Sequence, residues 1–360
     1  MDKILTLIVP SFNVEKYLDR CLSSLIVNDK QMTLFEVLVI NDGSTDKTSE
    51  IARSYESRFP DTFRLIDKEN GHYGSCINRG LLEAKGIFIK VLDADDAFDQ
   101  PVFDTFLSFL SDLRTDDVDL VISGYCEVTE EGYRKKDHPF SDYPSSATVK
   151  DISESDQYEW FIHALTYRTS CLRKIHYVQT EKIPYTDMEW AFIPMSDVNH
   201  IRKFPGSLYL YTLGLATQSV AQDVHAKNLG IEIQVISNIL SFFEKEKDSL
   251  KSDTYAFLRN RLLIIIRHIY QLYLLTYKRF VPFFMPLVEF DQLLKATDQD
   301  LYEGTEGYVT TIARIPFRPI HNWRSHRYLL NWIQTTLYFI ADTLASSRIK
   351  TVMKSRTRQS

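Results

Sequence analysis

The first 125 residues alternate between short β-branched runs and longer segments of helical periodicity, and few folds accept that order. The runs at 4–9 (ILTLIV), 35–40 (FEVLVI), 63–66 (FRLI), 87–92 (IFIKVL) and 118–123 (VDLVIS) read as strands. The segments 14–26, 46–58, 75–84 and 101–113 between them read as helices. Most of the strands are apolar almost without alternation, which marks a sheet covered on both faces; with helices between them such strands pair mostly in parallel. Asp46 is placed to cap one helix, and Pro101 suits a first helical turn.

The pattern changes further on. Residues 132–155 are polar and read as a loop or hairpin, 158–172 as a helix and 207–211 as one more strand. After about residue 221 strand patterns stop and helical periodicity takes over at 231–243, 255–277, 290–295 and 328–344. A chain of 360 residues is longer than one average domain. We therefore expect an α/β domain over 1–220 followed by a helical C-terminal domain over 221–360.

The net charge of −6 argues against nucleic acid as a partner. The average hides a gradient, because residues 313–360 hold nine basic side chains against the single acid Asp342. Cys21, Cys76, Cys126 and Cys171 stand far apart with no CxxC spacing, so neither a zinc site nor a disulfide framework is expected. The opening MDKILTLIVPSFN has no signal-peptide pattern, and the apolar runs at 262–266 and 328–340 are too short or too interrupted to span a bilayer. A cytoplasmic protein with reduced thiols is expected.

Four strand-to-helix turns carry polar chemistry. Val91-Leu92-Asp93-Ala94-Asp95-Asp96 puts three carboxylates directly after a buried strand. At the carboxyl end of a parallel strand such side chains face the crevice where α/β proteins bind ligands. Crowded carboxylates repel, and a divalent cation such as Mg²⁺ or Mn²⁺ relieves that repulsion while holding a diphosphate. A solvated acidic turn is the plainer alternative. Asn41-Asp42-Gly43-Ser44-Thr45-Asp46 offers an acid to a nucleobase or ribose, or is simply a capped turn. Pro10-Ser11-Phe12-Asn13 sets a rigid turn at the same rim, and Asn70-Gly71-His72-Tyr73-Gly74-Ser75 lets backbone approach a phosphate or sugar. No P-loop and no GxGxxG occurs.

The runs ILTLIVPSFNVEKYLDRCLSSL, FEVLVINDGSTDKTSEIA and NGHYGSCINRGLLEAKGIFIKVLDADD together resemble the nucleotide-binding half of a family 2 glycosyltransferase. The resemblance covers roughly residues 1–125, is looser to about 220, and implies a GT-A fold using a divalent metal (Mn²⁺ or Mg²⁺). Carried over, Pro10, Ser11 and Asp42 contact uridine, with Phe12, Gly71, Asn78 and Ala94 around the donor nucleotide. Asp93 lies near the ribose and Asp95 binds the metal. Many members carry Ala-Arg-Asn before a glycine where this chain has Cys76-Ile77-Asn78-Arg79-Gly80, so a base contact by that arginine is not carried over.

An inverting transfer needs a base for the acceptor hydroxyl. In Tyr185-Thr186-Asp187-Met188-Glu189-Trp190 the family's base position falls on Asp187. Glu189, two residues on, faces the same way if the segment is extended, and is the second candidate. Either acid could instead serve only to start a helix. Gln218 and Ser219 resemble a loop that folds over the donor diphosphate, and His72 is a further candidate for donor or acceptor contact. His163 and His200 read as structural.

The resemblance thus implies a UDP-sugar donor and a saccharide acceptor in surface or capsular polysaccharide synthesis. The absence of Gln-x-x-Arg-Trp favours single-sugar addition. The basic, aromatic segment 328–344 fits either a helix lying on an anionic membrane, suited to a lipid-linked acceptor at the inner face, or a packing helix of a homo-oligomer. The alternatives are a sugar-phosphate nucleotidyltransferase, which wants more glycines near strand one, and a catalytically silent sugar- or partner-binding module.

Overall fold

The computed structural model describes residues 3–140, 142–152, 161–214, 222–276, 285–312 and 315–325. They fall into two compact units, one of residues 1–221 with 246–260, the other of 222–245 with 261–360. The first unit carries β1 (Leu5–Ser11), α1 (Leu18–Ser23), α2 (Asp29–Met32), β2 (Phe35–Asn41), α3 (Thr48–Arg58), β3 (Phe63–Asp67) and α4 (His72–Glu83). There follow β4 (Phe88–Val91), β5 (Ala97–Phe98), α5 (Gln100–Asp112), β6 (Leu120–Val128), β7 (Arg134–His138), β8 (Ser146–Thr148) and α6 (Val149–Ile152). Then come β9 (Leu165–Arg168), α7 (Thr169–Lys174), α8 (Asp187–Phe192) and β10 (His200–Thr212).

One sheet runs β3-β2-β1-β4-β9-β6-β10-β5, with β7 on β6 and β8 on β10. The pairings β1–β2, β1–β4, β2–β3 and β6–β10 are parallel, and β9 lies antiparallel between β4 and β6. The expected α/β architecture with a mostly parallel sheet is therefore the one observed. β1 and β2 are buried along almost their whole length, which is why their sequences show no alternation. Their apolar side chains meet Phe98, Phe103 and Phe106 in one core, where Phe35 and Phe103 pack edge to face at 5.1 Å. Each such side chain fully buried stabilises the fold by ~1.5–3 kcal/mol.

The capping signals act as expected at α5, where Asp99 accepts from Val102 N and Pro101 sits in the first turn. At α3 the Asp46 carboxylate accepts from Thr48 N and also from Glu15 N, so it caps the helix and ties down the loop after β1. Two expectations fail. Of the helix expected over 158–172, residues 161–172 are described, and they hold a 3₁₀ turn (Ile162–Ala164), β9 and the start of α7. Leu165, Thr166 and Tyr167 are buried, but β9 is only four residues long, too short for its period to mark the strand, and pairing with β4 and β6 decides it. The helix expected over 14–26 shrinks to α1.

The second unit holds most of α9 (Gln222–Glu246), the C-terminal part of α10 (Ser252–Gln271) and a π turn (Leu272–Thr276). It also contains α11 (Met285–Thr297), α12 (Gln299–Glu306), the hairpin of β11 (Thr310–Ile312) and β12 (Ile315–Phe317), and α13 (Pro319–Ser325). That hairpin corrects the expectation that strands end near residue 221; three-residue strands are too short to leave a periodic signal. Inside the unit Arg324 and Asp291 form a buried ion pair at 2.7 Å beside Tyr270 and Trp323. Among the described residues no helix is long and apolar enough to cross a membrane. The basic segment 328–344 and the candidates Gln218 and Ser219 lie outside the described residues.

Candidate active site

The chain leaves β1 towards β2 on one side of the sheet and reaches β4 on the other, so the order reverses between β1 and β4. A crevice outside the carboxyl ends of these two strands is the topological switch point of the sheet. Ile8 and Val91 are in register there, and Leu92 N donates to Ile8 O, so residues 10–17 and 93–96 leave the sheet side by side. Between them opens a cleft of about 570 Å³. Its walls include Pro10, Phe12, Tyr73, Asp93, Ala94, Asp95, Asp96, His163, Asp187 and Tyr211.

The acidic turn is pinned from several sides. Tyr73 Oη donates to Asp93 Oδ1 at 2.9 Å. Asp93 N donates to Tyr209 Oη at 3.1 Å, and that hydroxyl donates in turn to Asp96 Oδ2 at 2.8 Å. Thr212 N donates to Asp96 Oδ1, and the Arg20 guanidinium donates to the Asp95 carbonyl and to Thr212 Oγ1. The turn after β4 is thus locked to the far end of β10. Burial and the Asp95 charge push the Asp93 carboxyl up to about 7. Burial, with the charges on Asp95 and Asp93, holds Asp96 well above the usual carboxylate range.

A divalent cation fits this chemistry, since oxygen donors crowd a part-buried site and raise one another's proton affinity. The imidazole of His163 stands at the same place. One ligand atom each of Asp93, Asp96 and His163 lie within 4.8 Å of one another, and His163 Nδ1 is buried with no hydrogen-bond partner. Burial and the Lys90 charge push His163 down to about 3, so the ring is neutral.

Asp187 opens α8 and lines the cleft, and its charge is felt at Asp93 and at Tyr73. Glu189 does not join it. The segment is helical rather than extended, so the two acids diverge: Glu189 is buried, its Oε2 accepting from Thr180 N and its Oε1 from Thr180 Oγ1, both at 2.7 Å. Gln179 Nε2 donates to Thr186 O and Oγ1, closing the same loop from the other side. Tyr185, in the left-handed region at φ 64°, turns the chain into α8. Such strain in a bulky residue persists where the surroundings hold it.

Other candidates stand one step back. Ser11 is buried and donates to Val9 O. Asp42 is buried, paired with Lys68 Nζ at 2.5 Å, and accepts from Gly71 N. Asn78 clamps the following loop through Gln179 N, Gln179 O and Glu181. Neither these nor His72, which is exposed with a left-handed φ of 63°, is in the cleft wall. Gly74 packs so tightly on that loop that a Cβ would stand 1.9 Å from Thr180 O.

Sequence reasoning missed Tyr73, Tyr209, Arg20, Lys90 and the placement of His163 in the wall. The signal for Lys90 was there: a lone lysine in a strand buried on both faces (FIKV) demands partners. It finds them in the His163 and Leu165 carbonyls at 2.7 and 3.3 Å, and burial lowers its pKa to about 7.

The glycosyl transferase family 2 model matches residues 6–174. An uncharacterised glycosyltransferase of Mycoplasma pneumoniae is 37% identical over 97 residues, 26% of this chain and 32% of its own length. The uncharacterised glycosyltransferase EpsJ of Bacillus subtilis is 23% identical over 218 residues, 59% of this chain and 61% of its own length. Poly(ribitol-phosphate) β-N-acetylglucosaminyltransferase TarS of Staphylococcus aureus is 32% identical over 111 residues, 31% of this chain and 19% of its own length. The chain therefore spans less than two thirds of the length of these relatives. The crystal structure of S. aureus TarS 1–349 aligns with a TM-score of 0.53 at 18% identity, over 87% of this chain and 95% of that one, a likeness of fold and of the GT-A kind. The family match takes in β1, β2 and β4 with the turns that follow them, so it is over residues 6–174 that the chain is similar to glycosyl transferase family 2.

Proposed function

We propose that the first unit transfers a sugar from a UDP-sugar to a hydroxyl of a saccharide acceptor, with inversion and with the help of a divalent cation. The observation that carries this reading is that one cleft at the switch point gathers Pro10 and Phe12, the acids Asp93 and Asp95, and Asp187. Pro10 and Phe12 suit a stacked base, with Ser11, Asp42, Gly71 and Asn78 shaping the turns behind it. Asp93 and Asp95 would hold Mn²⁺ or Mg²⁺. When bound, that ion neutralises charge developing on the leaving diphosphate.

Asp187 takes the proton of the acceptor hydroxyl as its oxygen attacks the anomeric carbon. The bond from that carbon to the diphosphate oxygen breaks on the opposite face, and UDP leaves. A single displacement inverts the anomeric centre. A UDP donor is supported by the relative named as an N-acetylglucosaminyltransferase and by the TarS 1–349 structure solved with UDP-GlcNAc. A polymer acceptor in surface polysaccharide synthesis is supported by that relative and by the Bacillus subtilis minor teichoic acid biosynthesis protein GgaB, 29% identical over 169 residues. A lipid-linked acceptor and attachment to the inner membrane face would follow from the basic C-terminal segment.

Calorimetric titration with UDP, with and without Mn²⁺, on the wild type and Asp95→Ala tests the donor site. Metal-dependent binding that the substitution abolishes is expected. No binding of UDP in either condition overturns the reading.

A further inference from the structure

One wall of the cleft beside the acidic turn is an imidazole. His163 sits in the 3₁₀ turn Ile162–Ala164, is 8% exposed, and lines the cleft with Asp93. One of its ring nitrogens lies within 4.8 Å of carboxylate oxygens of both Asp93 and Asp96. Its Nδ1 is buried without a hydrogen-bond partner, which is rare for a polar atom at this depth.

The ring has little freedom. It packs against Tyr209 and Tyr211 with centroids 4.6 and 4.2 Å away, and the backbone beneath it is tied by the Lys90 ammonium to the His163 carbonyl at 2.7 Å. Tyr209, which holds the ring, also holds Asp93 N and the Asp96 carboxylate through its hydroxyl. The imidazole and the carboxylates are therefore fixed by one scaffold, as ligands of a common ion would be.

We infer that His163 is a nitrogen ligand to the divalent cation held beside Asp93, and that it biases the site towards Mn²⁺ and later transition metals over Mg²⁺. This rests on the reading that the cleft takes such a cation with the donor nucleotide. Carboxylates alone suit Mg²⁺ and Mn²⁺ alike; an imidazole favours ions further along the Irving–Williams order.

The test uses the full chain with Mn²⁺ and UDP, observed by electron spin-echo modulation. With natural histidine, ¹⁴N modulation from a directly bound nitrogen is expected. With ¹⁵N-histidine it gives way to ¹⁵N frequencies, and in His163→Phe, which keeps a ring between the two tyrosines, it vanishes. Calorimetry on the same variant should show Mn²⁺ affinity falling by about tenfold or more, the scale on which perturbing a metal ion's ligand environment acts, with Mg²⁺ affinity falling less. Should the phenylalanine variant not fold, the isotope exchange in the wild type still decides. Mn²⁺ bound with UDP but without histidine modulation overturns the inference and leaves the proposed function standing. Failure of Mn²⁺ to bind at all overturns both.

Discussion

Asp187, the proposed base, lines the cleft while Glu189, two residues on, is buried against Thr180, and separate substitutions resolve the two. Asp187→Asn keeps the size of the side chain and removes its capacity to take a proton. A positioned general base contributes roughly 10²–10⁴ in rate, so kcat should fall by that factor, ~3–5 kcal/mol of barrier, with UDP affinity and Tm little changed. Glu189→Ala instead removes the acceptor of two hydrogen bonds from Thr180, each 2.7 Å long. A hydrogen bond to a charged group contributes ~1.5–3 kcal/mol, so at least about 3 kcal/mol of stability is lost. For a body of this size that lowers Tm by roughly 6–12 °C. Glu189→Gln keeps one acceptor for Thr180 N and turns a donor to Thr180 Oγ1, so it should cost only about 1 kcal/mol.

The assay is UDP release from whichever UDP-sugar turns over, with thermal unfolding of the same samples. Asp187→Asn should be folded and slow. Glu189→Gln should be within about threefold of wild type, because Glu189 positions the loop before α8 without touching the acceptor. The assignment is refuted if Glu189→Gln loses a hundredfold in kcat at unchanged Tm while Asp187→Asn keeps a third or more of its activity.

Tyr209→Phe deletes the hydroxyl that accepts from Asp93 N and donates to Asp96, so a loss of about 2–3 kcal/mol in urea unfolding and weaker metal-dependent UDP binding are expected. Lys90 has its pKa lowered by burial from 10.5 to about 7. Between those two values the unfolded chain binds the extra proton, so stability rises with pH by up to ~1.4 kcal/mol per unit, is fully present above the unfolded value, and is lost as pH falls towards 7. Urea titrations at pH 7.5 and 9.5 should show that rise in the wild type and not in Lys90→Met. Gly74→Ala drives a Cβ onto Thr180 O and should cost ~1–3 kcal/mol, read as a lower Tm, by pushing α4 from the loop that Glu189 ties.

The strands that build the switch point were legible because their burial on both faces leaves nearly continuous apolar runs, as in FEVLVI of β2, where Glu36 is the one interruption. The acidic turn stood out because three carboxylates directly follow a buried strand, whereas Asp187 was pointed to only by the resemblance. What stayed hidden was the pairing of distant segments. β9 is only four residues, Leu165-Thr166-Tyr167-Arg168, too short to be told from a helical segment by period, and its slot between β4 and β6 makes it a strand. His163 follows from that slot: on a helix over 158–172 it would have no reason to meet Asp93. An extended segment would turn Asp187 and Glu189 the same way; the helical start separates them. The partners of the Tyr73 and Tyr209 hydroxyls were not legible, because an aromatic residue's polar end shows only when its partner is known.

The tyrosines explain how the turn after β4 can be both acidic and rigid. Left to itself, a run of three carboxylates would spread into solvent to lower its repulsion. Here Tyr209 joins the Asp93 amide to the Asp96 carboxylate, Thr212 N holds the other Asp96 oxygen, and Arg20 bridges the Asp95 carbonyl to Thr212. Burial first, and repulsion among the three acids second, raise the Asp93 and Asp96 proton affinities in the folded state. Fixed dipoles and charges that need not reorganise when charge develops contribute most to electrostatic stabilisation of a transition state. The end of β10 thus belongs to the site as much as the acids do, and substitutions at Thr212 or Arg20, neither of which need touch a substrate, should weaken metal-dependent binding before they unfold the chain.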